Sequence, residues 1–155
     1  MKILMVCLGN ICRSPMAEGV LQKKVEENNL DVQVDSCGFE ACHLGEHPHP
    51  MAIQTAKNHG IDISHQRQRL FKEEDFDIFD KVYVMDNGNY RDVKRKSRTE
   101  EDMQKVDYLR NVVHPKSNKH VPDPWGGTVK DYEYAFQLID EACDEIIERI
   151  QGKTV

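Results

Sequence analysis

The sequence predicts an α/β fold: a three-layer, four-stranded parallel sheet with helices on both faces. Three observations carry that expectation. Ile3, Leu4, Met5 and Val6 form an unbroken apolar run, the mark of a strand covered on both sides. Further short strand-like segments alternate with segments of helical spacing, which implies right-handed crossovers and parallel pairing. Finally, 155 residues, 39% of them hydrophobic, suffice for one core and are too few for two ordinary domains, so one domain over residues 1–155 is expected.

The first strand, from Lys2, runs into a tight loop from Cys7 to Ser14. A helix opens at Pro15, a residue suited to a first turn, and carries Met16, Ala17, Val20, Leu21 and Val25 until Asn28 and Asn29. Asp31 to Ser36 alternates as a second strand. The Gly-, Pro- and His-rich segment from Cys37 to Pro50 has no usable period and reads as a surface loop, of the kind that lines sites. A helix from Met51 to Asn58 ends at Gly60, and Lys72 to Phe76 reads as a short helix. Lys81 to Met85 is the third strand. Asp86 can cap a helix that passes Tyr90 and Val93 into the basic run Lys94 to Arg98, a solvated face. Val106 to Leu109 is the fourth strand, and Arg110 to Pro124 is a long, Pro-containing connection. From Val129 to Ile150 the positions Tyr132, Ala135, Phe136, Ile139, Cys143, Ile146 and Ile150 trace one apolar stripe.

A net charge of −6 argues against a nucleic-acid surface or an anionic membrane as partner, since either would want clustered Lys and Arg. The N-terminal apolar run is too short for a signal-peptide core or a membrane span, and five cysteines, an odd number, fit a reducing compartment, so a cytoplasmic location is expected.

Ligands of such sheets bind beyond the strand C-termini, which is where Cys7 falls. The backbone N–H groups of Leu8, Gly9, Asn10, Ile11, Cys12 and Arg13 can curl around a tetrahedral oxyanion, with the helix N-terminus adding its positive end. Those dipoles and the Arg13 guanidinium favour the thiolate of Cys7, making it a nucleophile. Arg13 can grip two phosphate oxygens in a fork that lysine cannot reproduce. Ser14 either caps the helix or gives its hydroxyl to the thiolate. The loop lacks the terminal Gly-Lys-Ser/Thr of nucleotide phosphate loops.

The run VCLGNICRSPMAEG resembles the active-site signature of the low-molecular-weight protein tyrosine phosphatases. The resemblance extends in order through Asp35-Ser36, His59-Gly60-Ile61, Ser64-His65, Asp75-Phe76, Phe79-Asp80, Met85-Asp86 and Asp123-Pro124. It implies strand order 2-1-3-4 and hydrolysis of phosphotyrosine or aryl phosphate monoesters through a cysteinyl-phosphate, without cofactor or metal. In that reading Cys7 is the nucleophile, Arg13 the phosphate clamp and Asp123 the general acid and base. Phosphotyrosine proteins or small aryl phosphates are the implied substrates, and phosphate and other oxyanions the product or inhibitors. The resemblance also implies that Asn10, Ser14, Ser36 and His65 support the loop through hydrogen bonds. Cys12 matches a family cysteine that can pair reversibly with the nucleophile; a small packed side chain is the plain alternative. The pocket rim departs from the family. Cys42 stands where an aromatic is common, Met51 where an Arg is common, and Asp-Pro-Trp-Gly replaces Asp-Pro-Tyr-Tyr. Trp125 is then expected as one pocket wall, with Phe39 or Cys42 completing it.

Three other readings are weaker. A thiol-relay arsenate reductase would use Cys37 and Cys42, but no cysteine lies between Lys81 and Lys105, where that relay usually sits. A metal module built on Cys7/Cys12, Cys37/Cys42, His43, His47 and His49 would leave Arg13 and Asp123 without purpose. A dead phosphoprotein-binding domain would not need all three reactive groups.

Overall fold

Residues Lys2–Val6 form the central strand, β1, of the computed structural model, which describes residues 1–152; residues 153–155 of the expected domain lie outside the described part. Ile3 and Met5 point into one core, Leu4 and Val6 into the other, which is why the run is apolar at every position. The other strands are β2 (Gln33–Cys37), β3 (Lys81–Val84) and β4 (Val106–Tyr108). All pairs are parallel, in the order β2-β1-β3-β4.

Helices α1 (Arg13–Glu27), α2 (Pro50–Asn58) and α6 (Val129–Ile150) pack over one face. The shorter α3 (Asp75–Ile78), α4 (Asn87–Lys96) and α5 (Glu100–Gln104) cover the other with Phe76, Val93 and Met103. The sheet is thus the middle of three layers. The stripe on α6 is buried as patterned except that Ile150 is half-exposed, and Asp131 at the helix start accepts from the Thr128 N–H at 2.8 Å, closing a capping box.

Boundaries moved where a tertiary partner sets them. β2 begins at Gln33 rather than Asp31 because its pairing starts opposite Lys2. The short helix expected over Lys72 to Phe76 starts at Asp75, whose carboxylate instead accepts from the Lys72 N–H and closes the turn before the helix. Helix α5 was not anticipated, although Thr99 caps it by accepting from the Asp102 N–H. A short 3₁₀ turn at Ala41–His43 lies inside the first segment read as a loop, and a second, Leu109–Val112, takes the last residue expected of the fourth strand before entering the long connection. Lys94, Arg95 and Lys96 are exposed on the last turn of α4, as a solvated basic face should be.

The parallel register aligns Val6 with both Cys37 and Val84, and Val84 with Tyr108. The residues that follow these strand ends therefore gather at one edge of the sheet. Among the described residues, no helix is long and apolar enough to cross a membrane.

Candidate active site

Cys7 follows β1 directly and is buried, 3% exposed. The loop after it is turned so that its carbonyls face outward to fixed donors. Leu8 O accepts from the N–H groups of Phe39 (2.7 Å) and Glu40 (3.2 Å), and Ile11 O accepts from that of His49 (2.7 Å). This approach needs Gly38: a Cβ there would lie 2.7 Å from Leu8 O and 2.9 Å from Asn10. Asn10 sits in the left-handed region at φ 53°, which turns the chain, and its Oδ1 accepts from the Arg69 N–H at 3.1 Å. Among the described residues nothing accepts from the N–H groups between Leu8 and Ser14. They form a concave set of free donors that α1, beginning at Arg13, extends.

A hydrogen-bond relay backs the loop. Asn10 donates from Nδ2 to both Ser14 Oγ (2.8 Å) and Ser36 Oγ (3.0 Å), and Ser14 Oγ stands 3.1 Å from Cys7 Sγ. With a lone pair taken by Asn10, the single Ser14 hydroxyl proton faces Cys7 Sγ at 3.1 Å and the Cys37 carbonyl at a longer 3.5 Å, so sulfur is its nearer acceptor. Capping is not its role. The helix begins two residues earlier than Pro15, and Cys12 holds the cap position without a side-chain cap bond.

The Ser36 hydroxyl in turn donates to Glu18 Oε1 at 2.7 Å. His65, expected in this relay, is exposed and stands beside Glu18 in a shallow groove, making no side-chain hydrogen bond among the described residues. The Ser36 hydroxyl has one proton, and the nearer carboxylate takes it. Glu18 escaped the sequence reading, although its i,i+4 relation to Ser14 puts both on one side of α1.

Burial holds the Glu18 carboxyl up at about 7 in spite of the Ser36 hydrogen bond. The folded protein therefore binds this proton more tightly than the unfolded chain, and stability falls as pH rises from about 4.5 through about 7. Removing that titration in Glu18→Gln should flatten the fall by about 3–4 kcal/mol, as each unit is worth about 1.4. Urea midpoints across that range read the effect, and parallel wild-type and variant slopes would refute it.

Arg13, 2% exposed, donates from Nη1 to Asp86 Oδ2 (2.7 Å) and Val121 O (2.9 Å), while Nη2 lies 3.6 Å from Asp123 Oδ2. Burial opposes its charge, but Cys7, Asp86 and Asp123 together hold the guanidinium above its ordinary value. Asp86 does two jobs. Its Oδ1 accepts from the Asn89 N–H to cap α4, and its Oδ2 fixes Arg13. Burial works against its charge as well, yet these donors keep its carboxyl below the usual range. Its capping role was legible in sequence; its grip on Arg13 was not.

The loop carrying Asp123 is pinned by the Val121 N–H to Met85 O (2.8 Å), just past β3. Upstream, Asn111 braces the connection by donating to Asp107 and Asn118 and accepting from the Asn118 N–H.

These elements enclose a cavity of about 190 Å³ lined by Cys7, Leu8, Gly9, Ile11, Cys12, Arg13, Glu40, His43, Asp123 and Trp125. Trp125 is 63% exposed at its rim. Phe39 and Cys42 are not on the wall. The Phe39 ring stacks on Phe71 with centroids 5.4 Å apart, in a dry cluster, and Cys42 points to Glu40 Oε2 at 3.4 Å. Glu40 and His43 take their place, from the loop that sequence marked as site-lining.

Of the other cysteines, Cys37 and Cys143 are fully buried, and burial pushes both thiols up, so neither serves as a surface relay. Cys12 Sγ packs 3.4 Å from Tyr132 OH, and burial raises its thiol to about 12. Tyr132 is fully buried, whereas Tyr134 is 54% exposed.

A family model described as low molecular weight phosphotyrosine protein phosphatase matches residues 2–155. A pig protein of that name is 33% identical over 151 residues, 96% of this chain and 95% of its own. The crystal structure of a protein tyrosine phosphatase from Entamoeba histolytica with Hepes in its active site superposes with a TM-score of 0.90 at 31% identity, covering 99% of each chain. The Bacillus subtilis arginine phosphatase YwlE, in a variant whose active-site serine is phosphorylated, gives a TM-score of 0.88 at 27% identity over 97% of this chain and 96% of its own. With sheet order, loop and full-length match in agreement, the chain belongs to the low-molecular-weight protein tyrosine phosphatase family of enzymes.

Proposed function

We propose that the protein hydrolyses phosphotyrosine and related aryl phosphate monoesters through a phosphate covalently held on Cys7. The observation that carries this reading is the convergence of a buried sulfur, a ring of unpaired N–H donors and the Arg13–Asp123 pair on one small cavity.

Phosphate oxygens take the loop N–H groups and the outward edge of Arg13, whose other edge Asp86 and Val121 already hold. The Cys7 thiolate attacks phosphorus, the ester P–O bond breaks, and Asp123 gives its proton to the departing phenol oxygen. Asp123, now a carboxylate, takes a proton from water as the water oxygen attacks phosphorus. The S–P bond then breaks, phosphate leaves, and Ser14 donates to the regenerated thiolate. The phosphorylated active-site serine of the YwlE variant supports a covalent step, and the sulfonate-bearing Hepes in the amoebal enzyme supports oxyanion binding.

Leu8, Ile11 and Trp125 give the wall an apolar share suited to an aromatic ring. The phosphoester is presented by a protein or a small molecule, with phosphate as product and competing ligand. We assign the work to one domain over residues 1–155 in the cytoplasm, with neither nucleic acid nor membrane as partner.

Two comparisons test the reading together. The kcat/KM for a phosphotyrosine peptide should exceed those for phosphoserine and phosphoarginine peptides. Asp123→Ala should lose about 10²–10⁴-fold on phosphotyrosine, and far less on an aryl phosphate whose phenol is acidic enough to leave unprotonated. A preference for phosphoarginine, or equal losses for both leaving groups, would overturn it.

A further inference from the structure

Beside the phosphate cavity, Glu40, Cys42 and His43 bring a carboxylate oxygen, a thiol sulfur and an imidazole nitrogen within 4.8 Å of one another. We propose that these three side chains bind a thiophilic divalent cation, of which Zn²⁺ is the type, at the rim of the active-site cavity. The site is separate from Cys7 and from the turnover described above.

The donor set is the kind zinc takes, and three protein ligands leave a fourth position open. With bonds of about 2.0–2.3 Å, tetrahedral donors stand about 3.3–3.6 Å apart, so side-chain rotation over roughly an ångström completes the geometry. Cys42 Sγ already points at Glu40 Oε2 at 3.4 Å. His43 is prepared in a second way: its Nδ1 lies 2.9 Å from Glu46 Oε2, which fixes the ring and leaves Nε2 for the metal. A carboxylate on the far nitrogen is the usual support of a metal-binding histidine. When the S–metal bond forms, the thiol proton passes to solvent.

The pairings that spacing alone suggested do not form such a site. Cys37 is buried away from exposed Cys42, while His47 Nδ1 is taken by Ser64 O (2.9 Å) and His49 Nδ1 accepts from the Met51 N–H to cap α2. Among the described residues, only the short run around the 3₁₀ turn gathers. Because Glu40 and His43 also line the cavity, a bound cation places positive charge on the part of its wall where Glu40 otherwise contributes negative charge.

Full-length Cys7→Ser protein, which lacks the competing active-site thiolate, provides the test, with Co²⁺ as a visible stand-in and Zn²⁺ displacing it. One cation per chain is expected, with a sulfur-to-cobalt charge-transfer band. Adding Cys42→Ser should abolish the band, and His43→Ala should weaken binding at least about tenfold. Glu46→Ala, which removes only the ring's support, should weaken it by about 10–100-fold. A band that survives Cys42→Ser but disappears with Cys12→Ser would overturn the assignment, as would the absence of stoichiometric binding.

Discussion

Cys7→Ser should lower kcat on any aryl phosphate by at least about 10⁴-fold while leaving phosphate binding intact. A serine hydroxyl at this position has no base to activate it. Its nearest polar neighbour is Ser14, and the relay through Asn10 delivers protons toward the residue at position 7 rather than away from it. The N–H groups and Arg13 are untouched by the change, so the anion-binding groups remain in place. Steady-state kinetics and phosphate calorimetry on the same preparation separate the two effects. Turnover within tenfold of wild type would remove Cys7 from the chemistry.

Arg13→Lys should cost about 10³-fold or more in kcat/KM, approaching the effect of losing an arginine that stabilises a transferring phosphoryl group. The reason is geometric. One guanidinium nitrogen binds Asp86 and Val121 O, and the other faces Asp123 across the cavity. An ammonium is a single point with three donors and cannot hold that anchor and the phosphate fork at once. Part of the loss should appear in the fold as well, since Asp86 would keep its half-buried position with a poorer partner. Asp86→Asn tests the anchoring separately: it should weaken catalysis less than Arg13→Lys, because Arg13 keeps its charge and its bond to Val121 O. A conservative Arg13→Lys enzyme with near-normal kcat/KM would contradict the clamp.

What was legible in the sequence followed how local the deciding interactions are. β1 showed because four consecutive apolar residues need cover on both faces. α6 showed from Val129 to Ile150 because its stripe is long and its first turn carries its own capping box. β2 shifted because its pairing with Lys2 sets its end across the sheet, whereas α3 shifted because Asp75 spends its carboxylate on the Lys72 N–H, a local turn that a helical apolar pattern does not distinguish from a first helical turn.

The site divides the same way. Cys7 to Ser14 is one contiguous stretch running from the end of β1 into α1, and family resemblance drew in Asp123; the cavity is lined by Cys7, Arg13 and Asp123 alike. Glu18, Asp86, Glu40 and His43 were harder to find because each acts across elements. Glu18 is a helix residue until Ser36 reaches it from β2, and Asp86 is a cap until Arg13 arrives from α1. His65 and Phe39 erred in the opposite direction. Resemblance or ring chemistry suggested a place, and a closer carboxylate or a drier aromatic neighbour decided otherwise.

The central claim is a phosphoryl group carried on one sulfur, and intact-protein mass spectrometry tests it most directly. Asp123→Ala protein mixed with an aryl phosphate of acidic phenol and quenched in acid within a single turnover retains the step that forms the intermediate and slows the step that hydrolyses it. The account predicts one phosphoryl adduct per chain, mapped by peptide analysis to Cys7 and absent when Cys7 is also replaced by Ser. An adduct on another residue, or turnover proceeding with no adduct at any quench time, would contradict it.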